Sequence, residues 1–228
     1  MRITPETLAR RTSADMVFDA LYEQIITLKL LPGAKISEAD VAGQFSLSRQ
    51  PVRDAFNRLG NMNLLLIQPQ RATLVRKFSI SDIQTARFIR LSVELEIIRV
   101  AARRWDDEFS PRFLTNLDHQ ALASKDDDRG AFHRLDQEFH ALIAQMAQKH
   151  SAFDFVLENK AKVDRICVLS LKRRDEMSKL VTDHRQIFKA LSCGDPDSSA
   201  EALRTHLSRI EQTIKAVHLS HAEYFDNT

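Results

Sequence analysis

Glycine and proline are both scarce, five and six among 228 residues. Chains rich in β-sheet need many tight turns and the residues that make them. The shortage, beside abundant Ala, Leu, Arg and Glu, therefore points to helices. Cysteine is scarcer still. Cys167 and Cys193 form neither a metal-ligand spacing nor a disulfide framework, and read as core or surface thiols in a reducing compartment. No apolar run approaches the ~20 residues that a membrane span requires, and the N-terminus lacks the apolar segment of a secretion signal. The expectation is a soluble, cytoplasmic protein with no membrane partner. Internal repeats and low-complexity segments are absent too.

The length suits two ordinary domains, and the charge divides along the chain. Net charge is only +2, yet residues 1 to 80 carry 11 Lys+Arg against 7 Asp+Glu and the remainder 22 against 24. Between Ser46 and Lys77 the count is six basic to one acidic, a concentration that favours a phosphate backbone as partner.

That basic segment contains the most informative stretch, SLSRQPVRDAFNR at Ser46–Arg58. Ser48 is a suitable N-cap, Pro51 falls in the first turn, and Val52, Ala55, Phe56 and Leu59 form one inward stripe. Arg49, Arg53 and Asn57 recur every four residues on the opposite edge. Guanidinium groups so aligned suit guanine edges or phosphates in a major groove, although exposed arginines on a helix are more often merely solvated. The preceding run, Ser37–Phe45, begins with a cap and turns Val41 and Phe45 inward, with only Ser46-Leu47 before the next helix. Two helices across so short a turn make a helix-turn-helix. Leu64–Gln68 and Thr73–Arg76 read as two strands of a wing with Arg71 near its tip. Ala14–Leu30 reads as a helix ended by Pro32-Gly33, and the first dozen residues as a flexible arm.

Pro32-Gly33, Ser37–Phe45 and Ser48-Arg-Gln-Pro-Val-Arg-Asp-Ala-Phe56 with Leu59 together resemble the N-terminal domain of GntR-family bacterial transcription regulators. The resemblance implies that Ser48, Arg49 and Arg53 contact operator DNA. Three positions depart from the family pattern. Asn63 stands where a Gly is usual after the recognition helix, Ala72 where a Gly is usual near the wing tip, and Ala39 where some members have a contacting Arg.

Beyond Lys77-Phe-Ser79 the patterns are long, helical and amphipathic. Ile83–Trp105 carries two adjoining stripes, one through Ile83, Ala86, Ile89, Val93 and Ile97 and one through Phe88, Leu91, Leu95 and Ile98. It is expected to be a central or interface helix. Ser110-Pro111 opens the next. Further helices follow through Phe132–Met146, Phe155–Leu169 and Leu180–Leu191, and the last runs from Leu203 through Ile210 to Val217. The reading is a mainly α protein, with a winged helix-turn-helix at 1–78 and an antiparallel all-α bundle of about six helices at 79–228.

Asp136 and His140 lie four apart on one helix face, a spacing that can chelate a metal but more often marks a hydrogen-bonded pair. His184 and His206 sit at the apolar edges of later helices, where neutral core histidines are the plainer reading. Facing one bundle interior, three histidines and a carboxylate would suit zinc or a similar divalent ion. This half resembles the FCD domain of the FadR branch of GntR regulators. The resemblance implies that Asp136, His140, His184 and His206 bind a metal, zinc first with nickel or manganese as alternatives. It further implies that Arg90 and Glu94 serve an effector pocket, and that the effector is a small carboxylate such as a sugar acid or another organic acid. His133 is a further candidate, read as a rim or surface residue.

The function expected is a homodimeric transcription regulator that binds a palindromic double-stranded operator under effector control, and not an enzyme. Two rivals remain: a metal-dependent hydrolase using the same four ligands, and an architectural DNA-binding protein without an effector.

Overall fold

The computed structural model describes residues 11–68, 71–170 and 174–226. The chain forms two compact units, 1–77 and 78–228.

In the first unit, α1 (Ser13–Ile26) opens on a reciprocal cap. The Thr12 hydroxyl accepts from the Asp15 N–H at 3.1 Å, and an Asp15 carboxylate oxygen accepts from the Thr12 N–H at 3.0 Å. Val17, Leu21 and Ile25 are buried beneath it. The helix stops four residues short of the expected Leu30, because Leu28 takes a left-handed φ of 59°. The chain then turns through Gly33, whose φ of 84° favours a residue without Cβ.

Strand β1 (Lys35–Ile36) follows; at two residues it is too short to leave a sequence pattern. Helix α2 (Glu38–Phe45) is capped by Ser37 and ends where Ser46 turns left-handed at φ 54°. Helix α3 (Arg49–Asn61) buries Val52, Ala55, Phe56 and Leu59, the stripe read from spacing. Ser48 takes the N-cap position, but its hydroxyl makes no cap bond. Asn63 adopts φ 58°, the conformation in which Asn best replaces Gly.

Strands β2 (Leu65–Leu66) and β3 (Thr73–Val75) pair antiparallel, and β3 also pairs with β1, giving the order β1-β3-β2. They are shorter than the runs that suggested them. Pro69 and Gln70 of the expected wing tip lie outside the described residues, while Arg71 and Ala72 are exposed.

The second unit has seven helices among its described residues: α4 (Ile80–Arg103), α5 (Ser110–Lys125), α6 (Arg129–Met146), α7 (His150–Ser170), α8 (Arg174–Ser192), α9 (Pro196–Ser208) and α10 (Ile210–Ser220). Ser79 caps α4 and Asp128 caps α6 through Asp82 and Ala131 N–H groups. Gly194, at φ 65°, ends α8.

As its two stripes anticipate, α4 packs against α6, α7, α8 and α9, although Phe88 stays 71% exposed. The core beneath it gathers Leu95, Ile98, Phe113, Phe139, Ile187 and Leu203. The rings of Phe113 and Phe139 meet edge to face at 5.4 Å.

The expected last helix is two helices, broken at Arg209. Its guanidinium pairs with Asp183 through two bonds, one of them Nη2 to Oδ1 at 2.8 Å, and its N–H bonds the His206 carbonyl in a tightened final turn. Arg209 itself keeps helical angles, φ −58° and ψ −28°, so the apolar period runs through the junction unbroken. The beginning and end of the unit meet where Phe78 bridges Phe225. Phe78 N–H donates to the Tyr224 carbonyl at 2.8 Å, Asp226 N–H donates to the Phe78 carbonyl at 2.9 Å, and the two rings lie 5.1 Å apart.

Candidate functional site

The solvent side of α3 carries Ser48, Arg49, Arg53 and Asn57, all exposed on one edge. Arg53 leans on Glu38 of α2, Nη2 to Oε2 3.2 Å, a half-exposed pair that competes weakly with a phosphate or base. Arg58 differs: it bonds Asp15 at 2.8 Å and lies 4.0 Å over the Phe18 ring, tying α3 to α1.

In the second unit, Asp136 and His140 on α6, His184 on α8 and His206 on α9 each offer one ligand atom, all within 4.8 Å of one another. The three histidines are buried, and each turns Nδ1 toward an acceptor. His140 Nδ1 lies 2.7 Å from Glu94 Oε2 and His184 Nδ1 2.7 Å from Gln120 Oε1, while His206 Nδ1 lies 3.6 Å from Asp183 Oδ2, too far for a hydrogen bond. The Gln120 amide donates to Asn116 Oδ1 at 2.7 Å, so its carbonyl is the end that faces His184. His184 therefore donates from Nδ1 and keeps a lone pair on Nε2. Phe139 stacks on its ring at 4.4 Å.

The inward nitrogens lack protein partners suited to them. His140 Nε2 is buried without a hydrogen bond, and Nε2 of His184 and of His206 face each other at 3.4 Å. Asp136 Oδ1 stands 3.6 Å from His184 Nε2. Unpaired imidazole nitrogens around a carboxylate are a donor set for a borderline divalent ion, so these four residues fit one. Burial lowers the His184 pKa well below its ordinary value, with His206 adding to the effect, and burial lowers that of His206 as well. Both stay neutral and able to ligate. Burial would raise the Asp136 carboxyl, but neighbouring positive charge, chiefly the Lys160 ammonium, outweighs it and holds the group ionised.

Beside the cluster is a cavity with room for water centres over about 80 Å³, several times what one water needs. Arg90, His133, Asp136, Lys160, Asp164, His206 and Arg209 supply much of its polar wall, and Phe132, Leu180, Leu207 and Ile210 its apolar wall. Among the described residues, Arg90 is hydrogen-bonded only through Nε, to Glu94 Oε1 at 2.8 Å, which leaves its terminal nitrogens for a ligand.

Glu94 does not line this cavity. Its oxygens are taken by Arg90 and His140, so it stands behind both groups, holding them, where the sequence reading put it beside the effector. His133 also departs from expectation, being three-quarters or more enclosed, on the cavity wall and 3.6 Å from Asp164. Cys167 lines the cavity too, but burial pushes its thiol up to about 12, leaving no thiolate.

Sequence reasoning missed Gln120, Lys160, Asp164, Asp183 and Arg209. The signal for Lys160 and Asp164 was there: two charges four apart on the same helix as the buried Val156, Val163 and Ile166. Gln120 follows Phe113 by seven and Leu117 by three, on the buried stripe of α5, but its spacing does not say which group its amide meets.

Two family descriptions match the chain. Residues 13–75 match "Bacterial regulatory proteins, gntR family", and residues 86–209 match the FCD domain. The HTH-type transcriptional repressor RspR of Escherichia coli (strain K12) is 31% identical over 209 residues, spanning 92% of each chain. The HTH-type transcriptional repressor NanR of Klebsiella aerogenes is 26% identical, spanning 92% of this chain and 88% of its own. Among solved structures, E. coli McbR/YncC superposes with a TM-score of 0.78 at 18% identity, covering 92% of this chain and 99% of that one, which shows a shared fold.

Proposed function

The chain belongs to the GntR family of bacterial regulatory proteins, with an FCD domain after its helix-turn-helix, and from that premise we propose that a small carboxylate at a metal site in the second unit controls its grip on DNA. It is a DNA-binding transcription regulator, and the described residues contain no helix long and apolar enough to cross a membrane. The observation that carries the proposal is the convergence of Asp136, His140, His184 and His206 on one buried point beside a cavity where Arg90 keeps free N–H groups.

In this reading the four residues hold a divalent ion, zinc first and nickel or manganese as alternatives. The ion supplies a Lewis-acidic position for a carboxylate oxygen. Arg90, aimed by Glu94, pairs with the rest of that carboxylate, and Leu207, Ile210 and Leu180 exclude water around its carbon chain. His206 and Leu207 end α9, while Arg209 and Ile210 begin the break to α10. A ligand here therefore touches the junction of α9 and α10. Ser48, Arg49, Arg53 and Asn57 read the operator, Arg71 approaches it from the wing, and a homodimer presents two such helices to a palindrome. In such a dimer the protein acts as a repressor, released when the carboxylate binds.

The test is operator release by a panel of sugar acids and other organic acids, run with zinc-loaded and with chelated protein. Release should need both ion and acid, and His206→Ala should bind DNA but ignore the acid. Turnover of an acid or ester would favour the hydrolase. DNA binding indifferent to every acid and metal would leave an architectural protein.

A further inference from the structure

Helix α10 starts at the cavity and leads to the tether that joins the two units. Ile210 and Thr213, on its first turn, line the cavity beside Arg209. The helix is 11 residues long, about 16 Å at 1.5 Å per residue, and it packs on α7. Beyond Ser220, one tight turn, Ala222–Tyr224, brings Phe225 against Phe78, and both rings are buried. A second path from the same cavity ends at the same ring. Asp164 of α7 lines the cavity, and the next residue, Arg165, sets its guanidinium 4.7 Å over Phe78. His218 of α10 meets the Phe225 ring edge to face at 4.6 Å.

Phe78 is also where the tether is held. Arg76 N–H donates to the Leu64 carbonyl at 2.9 Å inside the first unit, and Phe78 N–H donates to the Tyr224 carbonyl at 2.8 Å inside the second. Only Lys77, which is exposed, lies between these two anchored residues. Without the Tyr224 bond Phe78 is released too, and the next anchor is Ser79, whose hydroxyl caps α4. The tether thus has two discrete settings, one slack residue with residues 224–226 seated and two with them released.

Resting on the proposed function above, we infer that residues 222–226 are a strap through which occupancy of the cavity reaches the tether of the DNA-reading unit, with Phe225 as the residue that positions Phe78. Coupling of this kind is carried by rigid helices and packed side chains that have two arrangements. An ion on His206, three residues before Arg209, steadies the junction from which α10 starts, and the strap at its far end is steadied with it. The relay needs no contact between the units, only the peptide bonds on either side of Lys77.

The experiment follows residue-resolved amide exchange and tryptic cleavage of the full chain, with zinc as the only added ligand. Zinc added to the chelated wild type should slow exchange of the Phe78 and Asp226 amides together, at least tenfold, and slow cleavage after Lys77. Phe225→Ala should bind zinc within threefold of wild type, by competition against a chelator, while its Phe78 amide and Lys77 cleavage no longer respond. Phe225→Leu, which keeps an apolar side chain against Phe78, should restore the response. A ring that merely filled the core would lower the melting temperature and leave the response in place. The wild-type measurement decides the matter even where Phe225→Ala does not fold.

Zinc that binds the wild type yet leaves the Phe78 amide unchanged, or a folded Phe225→Ala protein whose tether responds as before, overturns the relay and leaves the proposed function standing. A wild type that binds no zinc overturns both.

Discussion

Replacing Gln120 with leucine tests whether the site is built from its outer groups inward. Gln120 is fully buried, does not line the cavity beside the cluster, and meets the cluster through one bond, accepting from His184 Nδ1 at 2.7 Å. Leucine nearly preserves its volume but removes the acceptor, and it deprives Asn116 Oδ1 of a donor held at 2.7 Å. Two consequences should follow. Without metal, a buried N–H left unpaired costs about 1–3 kcal/mol, which for a unit of this size lowers the melting temperature by roughly 2–12 °C. With metal, loss of the bond that fixes the His184 tautomer should weaken binding about 10- to 100-fold, or about 1.4–2.8 kcal/mol at 1.4 kcal/mol per tenfold. The stabilisation gained on adding zinc should shrink by a similar amount. Competition against a chromophoric chelator measures the affinity, and melting curves with and without chelator measure the rest. A zinc affinity within twofold of wild type would refute the reasoning, since His184 would then be held by something other than Gln120 or would not be a ligand.

Arg49→Ala or Arg53→Ala should each cost about 1–3 kcal/mol of operator binding and abolish sequence preference, with helicity unchanged. Full affinity in both at fixed salt would remove α3 from the reading. Phe88, exposed on α4, should lie in a dimer interface, so sedimentation should find twice the chain mass at micromolar concentration and Phe88→Asp should reduce it. A monomeric wild type would count against both. Asp15 is held at about 2, chiefly by hydrogen bonds from Thr12 and also by Arg58. Its folded pKa lies below the unfolded one, so its contribution is present above pH 4 and lost as pH falls toward 2. Asp15→Asn should lower the melting temperature at pH 7 and have little effect near pH 2; equal effects at both would show that the carboxylate charge is irrelevant to the cap.

What was legible in the sequence is what repeats. The buried stripe of α3 and the double stripe of α4 follow from periodicity, because burial on one face imposes the period directly. Strand β1 was invisible because two residues have no period, and the α9–α10 break because Arg209 keeps helical angles and leaves the apolar period intact. Asp136 and His140 announce themselves by spacing, whereas their convergence with His184 and His206 depends on three helices meeting and was available only through resemblance. Gln120 and Asp183, which stand behind two of the candidate ligands, are ordinary polar residues until the fold places an imidazole nitrogen near them.

The pairing of Phe78 with Phe225 bears on the order in which the chain matures. Those hydrogen bonds close a loop that contains nearly the whole second unit, so they must be among the last contacts to form as the polypeptide emerges from the ribosome. Residues 11–77 are exposed early enough to acquire their own structure meanwhile. The first unit needs none of these contacts, so it can be complete while the second is still open.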